Sequence, residues 1–323
     1  MSTTTILPPF SVKVHSYLPS PSATSSSPVR PVQTYEHIVT HQPSSPPRQN
    51  ALVFIGGLGD GPHTIPYVRH LAAHLASAAP GYAVFEARLS SAFTGFGHGS
   101  LAQDARELAD LVRYLRGGLG ARRVVLMGHS TGCQDCMEYA TKRPGLLDGE
   151  EEGAVRVDGY VLQGPVSDRE AIAMGEDAAE VKLSLQVAEG MVEMERGGEI
   201  VSTIVMPKGW KGTPVSAYRW WSLAAVGGDD DYFSSDLTDE KLAEVWGRLE
   251  QPVLILPSGQ DEWVPPEVDV QGLVSRWKSS CKPGIASELS GLIPGANHRV
   301  DNDAGQQWLA DRVARFLAEM ESR

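Results

Sequence analysis

Residues 124–136 read VVLMGHSTGCQDC, in which a run of apolar residues leads into Gly128-His129-Ser130-Thr131-Gly132. The pentapeptide matches G-x-S-x-G, and an apolar strand before it with a helix after it is the setting of a nucleophile elbow. Glycine is expected on both sides because a side chain there would crowd the backbone of so sharp a turn. The pattern predicts a serine hydroxyl held up at the carboxyl end of a buried strand.

Strands and helices alternate along most of the chain. Buried strands are predicted from apolar runs at 51–57, 82–89, 123–128, 159–165 and 252–259, and a pair of outer strands from looser alternation at 11–18 and 33–40. Apolar spacing predicts helices at 65–75, at 101–115 with Ser100 as its cap, and at the C-terminus. Single helices between strands indicate right-handed βαβ units, so we predict an α/β fold with a doubly wound, mostly parallel sheet.

The alternation lapses between residues 166 and 250. We therefore predict a core formed by 1–165 and 251–323, with 166–250 inserted as a cap after the sixth strand. Aromatic residues in and near the cap are candidates for substrate contact, because aromatic rings give large contact areas to bulky ligands. The alternative for the cap tryptophans is that they pack the cap onto the core. The candidates are Phe93 and Phe96, on the loop after the fourth strand, and Trp210, Trp220 and Trp221, and the segment also contains Trp246.

A serine hydroxyl needs a base to take its proton, and in this type of fold the chain order is serine, acid, histidine. Of the nine histidines only His298 follows Ser130. The acid is expected after a late strand, where SGQDEW offers Asp261 and Glu262. We select Asp261, because its side chain is shorter and follows the strand and its turn directly. Asp301 and Asp303 come after the histidine, so capping or surface roles are predicted for them.

Acyl transfer also needs donors for an oxyanion. The backbone N–H after the nucleophile supplies one, which assigns Thr131, and the loop after the third strand supplies the other. GGLGDG (56–61) is that loop. Leu58 follows its double glycine and is selected, while Gly57 and Gly59 remain alternatives because backbone donors leave little trace in a sequence.

The net charge of −12 argues against a nucleic-acid partner, since no basic tract is available for phosphates. Acidic runs at 148–153 and 229–231 are expected to be solvated loops that weakly favour positive substrates. No secretory signal or membrane-spanning run is recognised, and three cysteines do not suggest a disulfide framework, so a cytoplasmic protein is expected.

Cys133 and Cys136 form a C-x-x-C directly after the elbow. Positions i and i+3 share a helix face, so small buried side chains are predicted in preference to a redox pair. A second cysteine pair is missing, which disfavours a zinc site. Neither a cofactor nor a metal is expected, and no His/carboxylate cluster that would hold iron is recognised.

FIGGLGDG, RLSSAFTGFGHGSLAQDARELADLV, VVLMGHSTGCQD, SGQDEWVP and GANH together resemble the α/β-hydrolase superfamily. More narrowly, the chain resembles a group of fungal and plant hydrolases described as an uncharacterised domain family. Its best understood fungal members are esterases of fusarinine C-type siderophores, which are cyclic hydroxamate chelators joined by ester bonds. The resemblance implies Ser130 as nucleophile, Asp261 as acid, His298 as base, and a cytoplasmic enzyme.

The expected function is therefore a serine esterase that hydrolyses a small-molecule ester, with an iron–siderophore chelate as the substrate that the resemblance implies. Two alternatives remain at this stage. One is a slow or non-catalytic ligand receptor on the hydrolase fold, and the other is an esterase or thioesterase of different small acyl substrates.

Overall fold

The computed structural model describes residues 9–20, 29–39, 49–142 and 152–322. Most of the acidic run at 148–153 lies outside these residues. Within them, no helix is both long and apolar enough to cross a membrane.

A seven-stranded sheet forms the centre of the described chain, in the order β1-β2-β4-β3-β5-β6-β7. Strands β1 and β2 are antiparallel to their neighbours, and all other pairs are parallel. The doubly wound, mostly parallel sheet predicted from the sequence is thus confirmed. The strands are Ser11–Tyr17 (β1), Val32–Ile38 (β2), Asn50–Ile55 (β3), Tyr82–Ala87 (β4), Arg123–His129 (β5), Gly159–Gln163 (β6) and Val253–Leu256 (β7).

Helices cover both faces of the sheet. In β3, Leu52 and Phe54 pack toward α1 and α9, while Val53 and Ile55 pack toward α2 and α3. Burial on both faces explains why the strand is a continuous apolar run. The helices are Tyr67–Ala78 (α1), Leu101–Arg113 (α2), Gly132–Lys142 (α3), Asp168–Gly175 (α4), Ala178–Glu193 (α5), Ala217–Ala224 (α6), Asp239–Trp246 (α7), Val270–Ser280 (α8) and Asp303–Glu321 (α9).

Helix α2 shows how local sequence fixes an element. The Ser100 hydroxyl accepts the backbone N–H of Gln103 at 3.1 Å, which is the predicted cap. The helix ends at Arg113, two residues before the predicted end, and the chain continues as one π-helical turn over Tyr114–Gly118.

The inserted segment divides into two parts that pack differently. Residues of α4 to α6 bury a cluster of their own around Trp220. Residues 232–249 instead join the apolar cluster of the main core, where Trp246 stacks on Trp277 with ring centroids 5.4 Å apart. The separate cap cluster therefore extends only to Ala224, and the tryptophan of α7 packs in the main core. The division of the chain into a core and a cap at 166–250 stays a prediction.

Candidate active site

Ser130 lies at a sharp turn between β5 and α3. Its φ is +54°, in the left-handed region that non-glycine residues adopt rarely and mainly under constraint. Its backbone N–H donates to the carbonyl of Gln163 at 3.0 Å, which ties the turn to the end of β6. A Cβ at Gly128 would lie 2.2 Å from the Gly132 carbonyl oxygen, and one at Gly132 would lie 2.4 Å from that of Ile55. These contacts explain both glycines of the motif.

His298 and Asp261 meet on neighbouring loops. Asp261 follows β7, and His298 lies shortly before α9. The imidazole Nδ1 and the Asp261 Oδ2 are 2.8 Å apart, and the His298 residue is only 5 % exposed. Glu262 also contacts His298, but its carboxylate accepts the backbone N–H at 2.8 Å instead of the ring. The two acids are thereby distinguished: Asp261 orients the imidazole, and Glu262 holds its backbone.

The end of β6 connects this pair to the elbow. Gln163 accepts the Ser130 N–H through its carbonyl, and its side-chain amide donates to the His298 carbonyl at 3.3 Å. A Cβ on the next residue, Gly164, would lie 3.3 Å from the His298 ring and 3.8 Å from the Asp261 carboxylate. Serine, histidine and aspartate therefore converge at the carboxyl ends of β5, β6 and β7. In the part of the chain that the structure describes, the Ser130 hydroxyl makes no hydrogen bond.

The glycine-rich loop after β3 approaches the elbow closely. A Cβ at Gly57 would lie 2.5 Å from the Ser130 Cβ, so only glycine fits between the two loops. The Gly57 N–H donates to the Asp60 carboxylate at 3.2 Å. Because that N–H is already engaged, the geometry favours the N–H groups that follow it, at Leu58 or Gly59, over Gly57 as an oxyanion donor.

Asp60 links the loops of the site, and its role was not foreseen from the sequence. Besides Gly57, its carboxylate accepts the Thr64 hydroxyl at 2.8 Å and lies 3.4 Å from the Arg299 guanidinium. It also lies 3.9 Å from Nε2 of His129. One carboxylate thus connects the glycine-rich loop, the residue before Ser130 and the residue after His298.

His129 is buried beside His298, with ring centroids 4.8 Å apart. Its Nδ1 lies 2.6 Å from the Gln163 side-chain oxygen. Burial and the neighbouring His298 lower the pKa of His129 to about 4. His129 is therefore neutral at neutral pH and does not oppose positive charge on His298.

The aromatic candidates occupy different environments. Phe93 is 53 % exposed, has a φ of +58°, and donates its N–H to the Asp60 carbonyl at 2.8 Å. Its ring lies against Gly61. Phe93 therefore presents an accessible ring beside the glycine-rich loop.

Phe96, Trp210 and Trp220 form a chain of ring contacts, at 6.2 Å and 4.9 Å between successive centroids. Trp220 is completely buried and its indole N–H donates to Ser184 at 3.0 Å. It packs the interior of the cap and cannot contact a ligand in this conformation. Trp221 contacts Tyr218 at a centroid distance of 6.1 Å and is partly exposed.

Four carboxyl groups are buried behind the elbow around the guanidinium of Arg219. Asp230 lies 2.5 Å from Arg219, and Asp168 accepts the Thr131 hydroxyl at 3.2 Å. Asp230 is only 1 % exposed, and the side chain of Asp231 pairs with Arg169. The expectation of a solvated loop at 229–231 is thus wrong for these two aspartates, which pair with cap arginines. The four carboxyl groups around Arg219 are those of Asp104, Asp135, Asp168 and Asp230.

Burial raises the pKa of Asp104 from 3.8 to about 7. Between about pH 4 and 7 the folded state therefore binds more protons than the unfolded state, and raising the pH through this window weakens the fold. Asp104→Asn removes that dependence. Urea titrations give the free energy of unfolding of each protein. From pH 5 to pH 8 we expect the value for Asp104→Asn to rise relative to that of the wild type by about 2 kcal/mol, because only the wild type loses this stability. If the free energy of unfolding of the two proteins changed equally with pH, the assignment would be contradicted. The control is Asp311→Asn, on the surface of α9.

The two cysteines after the elbow are buried, as predicted. Cys133 and Cys136 are at most 1 % exposed, and burial raises the pKa of both thiols well above the ordinary value. They therefore remain protonated and poorly nucleophilic at neutral pH.

A His/carboxylate cluster was missed in the sequence. The ligand atoms of His37, His63 and Glu86 lie within 4.8 Å of one another. The expectation that no such cluster exists is therefore wrong. Its members are far apart in the chain: the pairing of β2 with β4 brings His37 near Glu86, and the loop between β3 and α1 adds His63.

A family model described as protein of unknown function (DUF1749) matches residues 15–318. The chain belongs to the DUF1749 family. A relative, fusarinine C esterase sidJ of Aspergillus fumigatus, is 32 % identical to this chain over 84 % of the chain and 90 % of the relative's own length.

Solved structures agree with this membership. The siderophore hydrolase EstB from Aspergillus fumigatus matches with a TM-score of 0.72 and 28 % identity, over 95 % of this chain and 98 % of that protein. A soluble variant of monoglyceride lipase from Saccharomyces cerevisiae matches with a TM-score of 0.58 at 13 % identity, over 99 % of this chain and 98 % of that protein, and shares the fold. The predicted α/β-hydrolase fold and the family resemblance are confirmed. This DUF1749 protein is a carboxylic ester hydrolase.

Proposed function

We propose that this esterase hydrolyses ester bonds of a fusarinine C-type hydroxamate siderophore and so releases iron inside the cell. Ser130, His298 and Asp261 carry the reaction as nucleophile, base and orienting acid. The observation that carries the proposal is the 2.8 Å contact between His298 and Asp261 beside a strained serine elbow. The relatives named as siderophore hydrolases support the substrate class.

In the first half of the reaction, Nε2 of His298 takes the Ser130 proton as the hydroxyl oxygen attacks the ester carbonyl. The imidazolium then donates this proton to the leaving alcohol, which leaves an acyl-enzyme. A water molecule repeats the sequence and releases the acid. Asp261 fixes the imidazole through Nδ1 and stabilises its charged form. Catalytic hydrogen bonds are often loose before substrate binds, so the contact between Ser130 and His298 is expected to tighten in the Michaelis complex.

The oxyanion of the tetrahedral intermediate is bound by the backbone N–H groups of Thr131 and Leu58 in this proposal. In the described residues neither N–H donates a hydrogen bond, whereas that of Gly57 is occupied by Asp60. Preorganised donors of this kind stabilise the charge that develops in the transition state.

Ligand contact is assigned to aromatic rings beside the glycine-rich loop and in the cap. Phe93 is the most accessible of them, and Phe96 and Trp210 extend the apolar surface toward the cap. Trp221 is retained as a candidate because it is partly exposed. Trp220 acts indirectly in this proposal, by packing under Trp210. A bulky chelate would rest on these rings while one ester bond reaches Ser130.

Asp60 is a positioning residue in this mechanism, because it holds the oxyanion loop against the loops of Ser130 and His298. We expect Asp60→Asn to lower kcat by about 10- to 100-fold with a smaller change in KM, since misplacing catalytic groups by about 1 Å has effects of this size. Steady-state kinetics on one ester would measure it. The control is Asp311→Asn, whose carboxylate lies on α9, and equal kcat values for the two variants would remove Asp60 from this role.

The substrate class is tested by comparing purified protein on ester-linked hydroxamate siderophores and on simple acyl esters of similar leaving alcohol. Both iron-loaded and iron-free siderophores should be included, with product mass showing single ester cleavages. We expect kcat/KM to be at least about 100-fold higher for the siderophore esters, which corresponds to about 2.7 kcal/mol of additional transition-state binding. Faster turnover of the simple esters would leave the esterase mechanism intact and overturn the substrate assignment.

A further inference from the structure

A second polar cluster lies on β2, on β4 and in the loop before α1. It consists of His37, His63 and Glu86, and the proposed ester hydrolysis does not use it. We propose that these three side chains bind a divalent first-row transition metal ion. The site is independent of the triad and goes beyond the esterase function.

The donor atoms already converge on one point. Nε2 of His37 lies 2.6 Å from Oε1 of Glu86, and Nδ1 of His63 lies 2.7 Å from the same oxygen. All three atoms are within 4.8 Å of one another. His37 and Glu86 are on neighbouring strands, and the His63 N–H donates to the other carboxylate oxygen at 2.7 Å. The cluster is therefore built from three elements and held by the sheet.

Two imidazole nitrogens and one carboxylate oxygen are the donor set of His₂Glu zinc sites. Zinc bonds of about 2.0–2.2 Å place tetrahedral donor atoms about 3.3 Å apart. The two nitrogen–oxygen contacts, at 2.6 Å and 2.7 Å, need to lengthen by about 0.6–0.7 Å to admit the ion. When the ion binds, each imidazole presents a lone pair at that nitrogen, and its proton moves to the other ring nitrogen or to solvent.

Burial makes a cation favourable at this place. Glu86 is 1 % exposed. Both of its carboxylate oxygens are engaged by the two histidines, Oε1 by the two rings and Oε2 by the His63 N–H. A buried carboxylate needs such partners or a bound metal ion.

Aromatic rings fix the planes of the two imidazoles. Phe10 stacks on His37 with centroids 5.5 Å apart and an interplanar angle of 12°, and Tyr35 meets the edge of His63 at 4.9 Å. Such outer contacts hold metal-binding histidines in their coordinating orientation. His63 has a φ of +71°, so its backbone is held in a left-handed conformation that directs the ring to Glu86.

The site also has an approach from solvent. The His63 side chain is 27 % exposed, which gives an ion a path to the three donor atoms.

The test is titration of chelator-treated, full-length protein with Zn²⁺ by calorimetry and with Co²⁺ by visible absorption. We expect one ion per chain and the intense d–d bands of four- or five-coordinate cobalt. His63→Ala should weaken Zn²⁺ affinity by at least about 100-fold and abolish those bands. Glu86→Gln is the second variant, because it keeps the shape of the side chain and so tests the site even if His63→Ala folds poorly. Circular dichroism verifies the folding of each variant.

His70 and His74 supply the matched control. They stack on the surface of α1, with centroids 6.5 Å apart, and His74 pairs with Asp311, so they are the obvious place for adventitious chelation. His74→Ala should leave Zn²⁺ binding unchanged. The proposal is overturned if wild-type protein binds no ion at millimolar Zn²⁺, or if binding survives His63→Ala and Glu86→Gln and is lost in His74→Ala.

Discussion

Ser130→Ala should lower kcat/KM for a siderophore ester by about 10⁴- to 10⁶-fold while the protein remains folded. The alanine lacks the oxygen that forms the acyl-enzyme, and the remaining oxyanion donors accelerate direct attack by water only weakly. Serine already places a Cβ at this φ of +54°, so alanine adds no backbone strain and stability should change little. Single-turnover and steady-state assays with mass detection measure the effect.

The matched control is Ser77→Ala, which removes an exposed hydroxyl near the end of α1. Its turnover should equal that of the wild type. Circular dichroism and thermal unfolding of Ser130→Ala show whether a loss of turnover comes from unfolding. A folded Ser130→Ala variant with a rate within about tenfold of wild type would remove Ser130 from the mechanism.

Asp261→Asn should lower kcat by about 10⁴-fold with little effect on KM. The amide can donate to Nδ1 of His298, which stabilises the wrong imidazole tautomer and places the proton on the nitrogen that faces Ser130. Folding should be unaffected, because asparagine has nearly the same shape. Steady-state kinetics at neutral pH would measure the loss.

Two neighbouring carboxylates make this prediction specific. Glu262→Gln should have a smaller effect, because Glu262 accepts the backbone N–H of His298 and does not touch the ring. Asp303→Asn, in the first turn of α9, should have no effect on kcat. If Glu262→Gln lowered kcat more than Asp261→Asn, the acid would be misassigned.

Features that depend on local sequence can be predicted from the chain alone. The G-x-S-x-G turn needs glycines where a Cβ would strike the backbone, and β3 needs apolar residues in succession because both of its faces are covered. His298 could be selected because it is the only histidine that follows Ser130 in the chain. The shorter side chain favours Asp261 over Glu262, and in the structure the Asp261 carboxylate contacts the His298 ring.

Features that depend on packing between distant segments could not be predicted. The neighbouring sequence does not distinguish Trp246 from Trp220. Trp246 stacks on Trp277 in the core, whereas Trp220 packs inside the cap. The acidic run at 229–231 is typical of a solvated loop, yet Asp230 pairs with Arg219 in the interior of the protein.

The same limit applies to groups assembled from several elements. His37, His63 and Glu86 form a cluster only because β2 pairs with β4 and the loop between β3 and α1 turns back onto them. Asp60 lay within the glycine-rich stretch, but a carboxylate that joins three loops leaves no spacing pattern in the sequence.

The central claim is that Ser130 is activated by His298 and forms a covalent acyl-enzyme. The most direct measurement is labelling of folded protein with a fluorophosphonate, followed by peptide mass spectrometry. The account predicts one phosphonyl group per chain, on Ser130, with labelling abolished in Ser130→Ala and strongly slowed in His298→Ala. Absence of labelling in folded, wild-type protein, or labelling at another residue, would contradict it.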